Sequence, residues 1–155
     1  MLYIGFAATG DFPEIGYRLK SVVRQAVKAV LMSEGFESDA FVSVTFCDNA
    51  YIRGLNNKFR GVDKHTDVLS FPLFERDELD YSSDIEIMLG DVVISLERAK
   101  EQADEIGNDF YKEIAFLTVH SILHLLGYDH ERSKEDDELQ CRLQREIMKT
   151  LEFLF

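Results

Sequence analysis

The sequence predicts a single α+β domain, a four-stranded and mixed sheet with about five helices against its faces. Three observations predict it. Runs of β-branched and aromatic residues fall early in the chain and amphipathic helical patterns dominate late, which suits segregated strands and helices better than a regular βα alternation. No linker, internal repeat or low-complexity tract divides the 155 residues, so residues 1–155 are expected to form one domain. With 46% hydrophobic and 12% aromatic residues, nine Gly and only two Pro, the composition supports a core and excludes disorder or a collagen-like repeat.

The elements follow in order. Leu2, Tyr3, Ile4, Phe6 and Ala7 form a first strand, broken at Gly10-Asp11-Phe12-Pro13 before an amphipathic helix carrying Ile15, Leu19, Val22, Val23, Ala26 and Val30. Phe41–Phe46 is β-branched and aromatic enough for a buried strand, and a short helix from about Asn49 to Phe59 turns Ile52 and Leu55 inward. A strand over Asp67–Phe71 stops at Pro72. The next runs over Ile85–Ile94, with Gly90 and Asp91 marking a bulge or a close approach. Ser95 caps a helix ending at Gly107, Asn108 or Asp109 starts one that runs to Gly127, and Ser133-x-x-Asp136 resembles a capping box. The last helix carries Leu139, Leu143, Ile147 and Leu151 at i+4 spacing.

The charge is strongly acidic and unevenly placed. The formal net charge of −12 lies entirely in residues 75–155, because residues 1–74 hold eight acids and eight bases. Such a balance argues against a broad electrostatic grip on phosphate backbones and against DNA as partner. Two basic groups in the neutral half, Arg18, Lys20, Arg24 and Lys28, then Arg53, Lys58, Arg60 and Lys64, are candidate anion-contact surfaces. The acidic half, from Glu75 onward, is expected to face away from an anionic ligand or to meet basic proteins. Cys47 and Cys141 stand 94 positions apart, without a CxxC motif, and read as buried thiols. Met1–Gly10 lacks a positive n-region, and the longest apolar stretch, Ile114–Leu126, is broken by two histidines, so a cytoplasmic protein without a membrane anchor is expected.

Three of the four histidines lie in the window His120–His130. His120 and His124 are i and i+4 on a predicted helix, which puts their Cβ atoms about 5–6 Å apart on one face. Gly127 stands where the helix would end and the chain turn back, bringing His130 round as a third ligand. A lone histidine on a half-buried helix is ordinarily structural, but this combination points to a metal site between the histidine helix and the sheet. Three neutral nitrogen ligands suit zinc, with nickel or another transition metal also accommodated, and they leave a fourth position open as catalytic sites do. The offsets equal those of the extended metzincin protease signature. Those proteases need Glu directly after the first histidine as general base, and Ser121 occupies that position, which counts against a metalloprotease-like hydrolase.

The window is similar to the HGxLHLxGYDH signature of the YbeY family. Leu55-Asn56, Arg60-Gly61 and Thr66–Pro72 resemble that family's LNxxxRxxxxxTDVLSFP block, and Leu89–Ile94 resembles its LGDIVI strand. The resemblance implies a single-strand-specific, metal-dependent endoribonuclease of bacterial rRNA maturation, acting at the 16S rRNA 3' end and in ribosome quality control. It implies one zinc ion per chain on His120, His124 and His130, a role for Arg60 in the nuclease reaction, and rRNA and ribosomal subunits as partners, with basic ribosomal proteins among them. Two positions depart from the pattern, Ser121 for a usual Gly and His65 for a small residue, and neither touches the ligands. Asp91 and Asp129 are candidates to orient the ligand imidazoles. A different class of reading is a non-catalytic ribosome-assembly factor in which zinc is structural.

Overall fold

The computed structural model describes residues 1–9 and 16–155, so the predicted break at Gly10–Pro13 and the inward Ile15 lie outside the described residues. Among these residues four strands, β1 (Leu2–Ala8), β2 (Ala40–Cys47), β3 (Val68–Pro72) and β4 (Ile87–Ser95), form one sheet in the order β1-β2-β4-β3. β1, β2 and β4 run parallel, and β3 is antiparallel to β4, so the sheet is mixed as expected. Among the described residues five helices accompany it: α1 (Tyr17–Ser33), α2 (Asn49–Arg60), α3 (Leu96–Ile106), α4 (Phe110–Leu125) and α5 (Lys134–Lys149).

Side-chain caps fix the helix starts where the sequence placed them. Asp48 accepts from the Tyr51 N–H, Ser95 from Arg98, Asp109 from Tyr111 and Lys112, and Ser133 from Asp136, each satisfying a first-turn donor. A complete capping box stands where none was predicted, between Glu75 and Glu78 around a short 3-10 turn at Arg76–Glu78. β4 begins two residues later than its apolar pattern suggests, because Ile85 is exposed and only from Ile87 does the chain pair with β2.

Gly90 is both the bulge and the close approach. The β2–β4 register shifts there, with Phe41 opposite Met88 and Val42 opposite Gly90. At φ +145° a side chain is disfavoured, and a Cβ at Gly90 would stand 2.3 Å from the Phe71 carbonyl oxygen.

Helix α4 is the centre of the molecule. Residues all round it are buried, among them Ile114, Leu117, Val119, Ile122 and Leu125, and it packs against α1, α3, α5, β3 and β4. An all-round apolar helix of this kind belongs to a domain interior. Among the described residues no helix is long and apolar enough to cross a membrane. The main core joins α1 and α4 to the sheet, while α2 closes a smaller cluster of Cys47, Ile52, Leu69 and Val93.

Cys47 is buried as expected, and burial pushes its thiol pKa up to about 12. Cys141 is not buried. It lies on the solvent side of α5, with Sγ 3.9 Å from Asp137 Oδ1, because the buried line of that helix runs through Gln140, Gln144 and Ile147.

Candidate active site

The site is assembled where the end of α4 meets β3 and the end of α2. His120 and His124 sit one turn apart on α4, and Gly127 then reverses the chain at φ +101°. The Tyr128 N–H returns to the Leu123 carbonyl at 3.1 Å, which closes the helix end and swings His130 back toward the site. No side chain fits at Gly127, since a Cβ there would lie 2.4 Å from Arg76 Cβ. The His120 and His130 rings end with centroids 5.0 Å apart.

A cavity of about 310 Å³ opens at this point, and Arg60, Asp67, Ser70, His120, His124, Asp129, His130 and Glu131 line it. The three histidines expected to hold a metal and Arg60, expected to act in the reaction, therefore share the walls of one space. Two larger cavities of about 830 and 860 Å³ exist elsewhere, but neither contains a histidine. Arg60 is the last residue of α2 and reaches across to Glu131, Nη2 to Oε1 3.5 Å, while His130 Nε2 lies 4.0 Å from the same carboxylate oxygen.

Strand β3 supplies the opposite wall by simple alternation. Val68 packs on the main core, so Ser70, two residues on, shares that face and meets α4. Ser70 Oγ lies 2.7 Å from His124 Nδ1. His120 Nδ1 lies 2.7 Å from Gln144 Oε1, a side chain of α5. Both contacts engage Nδ1 and leave Nε2 as the nitrogen available to a ligand. Burial lowers the pKa of His120, more strongly than the Gln144 hydrogen bond raises it. Burial likewise lowers that of His124, against the raising effect of the Asp129 charge. Both rings are thus held in the neutral, ligating form at pH 7.

The donor chemistry fits a transition metal. His130 Nδ1 is buried without a hydrogen-bond partner, an orphan that suits a ring awaiting an electrophile. Among the described residues no group of three or more His, Cys, Asp or Glu side chains stands in a ready-made metal cage.

Two expectations, for the aspartates and for the acidic half, need correction, while the basic stripe, His65 and Ser121 lie away from the cavity. Asp91 and Asp129 do not orient the imidazoles. Asp91 is exposed on β4, Asp129 Oδ1 accepts from the Glu131 N–H at 3.0 Å, and the partners of the rings are Ser70 and Gln144. The acidic half does not turn away from the site, because Asp129 and Glu131 line the cavity, and Arg76 and Arg132 line the adjoining one of about 340 Å³. Lys20, Arg24 and Lys28 line no wall of the histidine cavity, and Lys20 instead leans over Phe6 at 5.8 Å. His65 is exposed in the loop after α2 and does not line the cavity either. Ser121 is fully buried with its hydroxyl unpartnered, so it faces packing and not the cavity.

Residues missed by sequence reasoning share one character, a polar side chain brought in from a distant element. Ser70 gave no local signal. Gln140 and Gln144 gave one, since they fall on the same stripe as Ile147 and Leu151, where polar residues are out of place. Asp67 is held by three donors, from Val68 N–H, Thr66 Oγ1 and Gln102 Nε2, and Gln102 Nε2 also donates to the buried Glu113.

Residues 10–152 match the family described as Endoribonuclease YbeY. Similar proteins include the Endoribonuclease YbeY of Caldanaerobacter subterraneus, 48% identical over 139 residues with 86% of this chain and 87% of that protein covered. That of Bacillus cereus is 42% identical over 139 residues, with 88% of each covered. In structure, the chain resembles a Thermotoga maritima protein solved in solution, with a TM-score of 0.59 and 32% identity over 96% of this chain and 91% of that one.

Proposed function

The chain belongs to the endoribonuclease YbeY family, and from that premise we propose that it is a metal-dependent endoribonuclease that cleaves single-stranded rRNA in the cavity between α4, β3 and the end of α2. The observation that carries the reading is the convergence of His120, His124, His130 and Arg60 on one cavity. His120, His124 and His130 would hold the ion, zinc or another metal that accepts imidazole, and nickel belongs to that class. When bound, the ion supplies Lewis acidity toward the phosphodiester and charge for the developing anion.

The remaining work falls to side chains of the protein. Ser70 and Gln144 hold two imidazoles against rotation through Nδ1 and leave their Nε2 atoms for the ion. Arg60 offers a planar fork that fits two phosphate oxygens, which a lysine could only meet as a point charge. To do so it exchanges Glu131, at 3.5 Å a loose partner on an exposed surface, for the substrate. The buried side of the cavity, against α4, limits water and strengthens those contacts.

In the cell the substrate would be the 16S rRNA 3' end within maturing subunits in the cytoplasm, and the acidic surface beyond the site would meet basic ribosomal proteins. A single-turnover assay on single-stranded rRNA, with His124→Ala and Arg60→Ala beside the wild type, tests the reading. Both variants should lose cleavage, and purified wild-type protein should carry a stoichiometric transition metal. Cleavage that survives loss of His124 in rigorously purified protein would belong to a contaminant, and an assembly factor with a structural ion would then be the better description.

A further inference from the structure

Two glutamines on the inner face of α5 are more buried than the leucines beside them. Gln140 is 1% exposed and Gln144 6%, whereas Leu139 and Leu143 are only partly buried. Polar amides there are poor packing material, and Gln140 keeps its carbonyl oxygen buried without a hydrogen-bond partner, a cost an apolar residue would not carry. What the pair does is visible in its bonds. Gln140 Nε2 donates to Gln144 Oε1 at 3.2 Å, and it also reaches the His120 carbonyl at 3.5 Å. Gln144 Oε1 is thereby turned to His120 Nδ1, at 2.7 Å.

We propose that Gln144 is a positioning residue that sets the tautomer of His120, with Gln140 holding Gln144 in place. An amide oxygen can only accept, so the ring proton must sit on Nδ1 and the lone pair on Nε2. The partner of His124 cannot do this. The Ser70 hydroxyl both donates and accepts, so it fixes the direction of that ring without choosing its tautomer. Gln140 Nε2 also lies 3.3 Å from His120 Nδ1, but it has two oxygen acceptors within reach, and the far shorter 2.7 Å contact from Gln144 Oε1 is the one that selects the tautomer. The C-terminal helix α5 is therefore part of the active site although no residue of it lines the cavity.

This inference rests on the proposed ligand role of His120, and its test separates the two. Protein labelled with 15N-histidine and freed of metal is examined by long-range 1H–15N NMR, and zinc affinity is measured by competition with a chromophoric chelator. Wild-type His120 should show Nδ1–H. Gln144→Met, equal in length without an acceptor, should give a mixture containing Nε2–H and bind zinc about 10–100-fold more weakly, while Gln144→Glu restores the Nδ1–H form. The His124 signals should stay unchanged in both, which a general loosening of the fold would not allow. Nε2–H on His120 in the wild type, or an unaltered tautomer in Gln144→Met, overturns the proposal, and the first readout needs no variant to fold. Nδ1–H on His120 in a protein that binds neither zinc nor nickel would support the clamp and refute the metal reading instead.

Discussion

Replacing Gly90 by alanine should cost about 3 kcal/mol or more, and the site explains why that loss reaches function. At φ +145° an L-residue is strained by about 1–3 kcal/mol. The new Cβ would stand 2.3 Å from the Phe71 carbonyl oxygen and 3.1 Å from Leu125 Cδ2, and the first of these is backbone that no rotamer change can move aside. β3 must shift outward. Its pairing with β4 at Phe71–Asp91 and Pro72–Gly90 then loosens, at about 1 kcal/mol for each bond lost. A chain of this size loses about 2–4 °C in Tm per kcal/mol, so Tm should fall by about 6–12 °C. Ser70 sits one residue from the clash, and its 2.7 Å contact with His124 should open, lowering activity beyond what the unfolded fraction explains. The same substitution at Gly54, exposed in mid-α2 with nothing within 4 Å, should stabilise by about 0.5–1 kcal/mol. Urea unfolding of both variants, with the midpoint compared at constant m, gives the two signs. A Gly90→Ala midpoint within error of wild type would refute the close-approach argument.

Three further outcomes follow from the charges. Burial raises the pKa of Glu113 above its ordinary 4.5, with the Gln102 hydrogen bond only partly offsetting it, so the stability this carboxyl contributes is present below pH 4.5 and lost as pH rises through the folded value. Glu113→Gln should therefore melt higher than wild type at pH 8 and level with it near pH 4, and a gap independent of pH would show that ionisation is not the cause. His120 and His124 are shifted down from 6.5, so the metal-free protein should lose stability as pH falls from 6.5 through their folded values, because the unfolded chain takes up protons first. A thermal midpoint that falls between pH 7 and pH 5 in wild type but does not fall in a His120→Gln, His124→Gln double variant is the check. Finally, Lys20→Ala with Arg24→Ala should leave the salt dependence of RNA binding unchanged, whereas Arg60→Ala should flatten the log–log slope by about 0.7, as loss of one single-strand phosphate contact does.

Local chemistry made much of this molecule legible. Caps at Ser95 and Ser133, the cap at Asp109 (one of two candidates), the irregularity at Gly90 and the reversal at Gly127 are decided by a few neighbouring residues, and the structure has each within the positions the sequence offers. The convergence of His120, His124 and His130 was legible for the same reason, since one helix turn and one glycine bring them together. Arg60 was not readable from spacing. It was singled out by resemblance, and only the tertiary packing of α2 beside β3 brings it to the histidines. Ser70 and Gln144 stand 54 and 24 residues from the rings they hold, and nothing local says which polar residue of a strand or helix will face inward. Cys141 shows the converse failure. Its residue type favours burial, but its position on α5 falls off the buried line, and position wins.

The acidic excess acts at the site itself. Among the ionisable side chains other than histidine that line the cavity, one guanidinium, Arg60, faces three carboxylates, Asp67, Asp129 and Glu131. A phosphodiester approaching the metal-free cavity meets net negative charge at short range, where salt screens least. A divalent cation on the histidines changes that balance by two charges at the place where the phosphate must sit. Affinity for single-stranded RNA should therefore depend on metal before any bond is broken. The measurement is binding of an uncleavable, 2′-O-methylated oligonucleotide by fluorescence anisotropy, with chelator and then with zinc. Zinc should tighten binding, and Glu131→Gln should tighten it in chelator as well, because it removes one carboxylate and releases Arg60 from its 3.5 Å partner. Equal affinities with and without zinc, together with no effect of Glu131→Gln, would mean that RNA is held by a surface remote from the histidines.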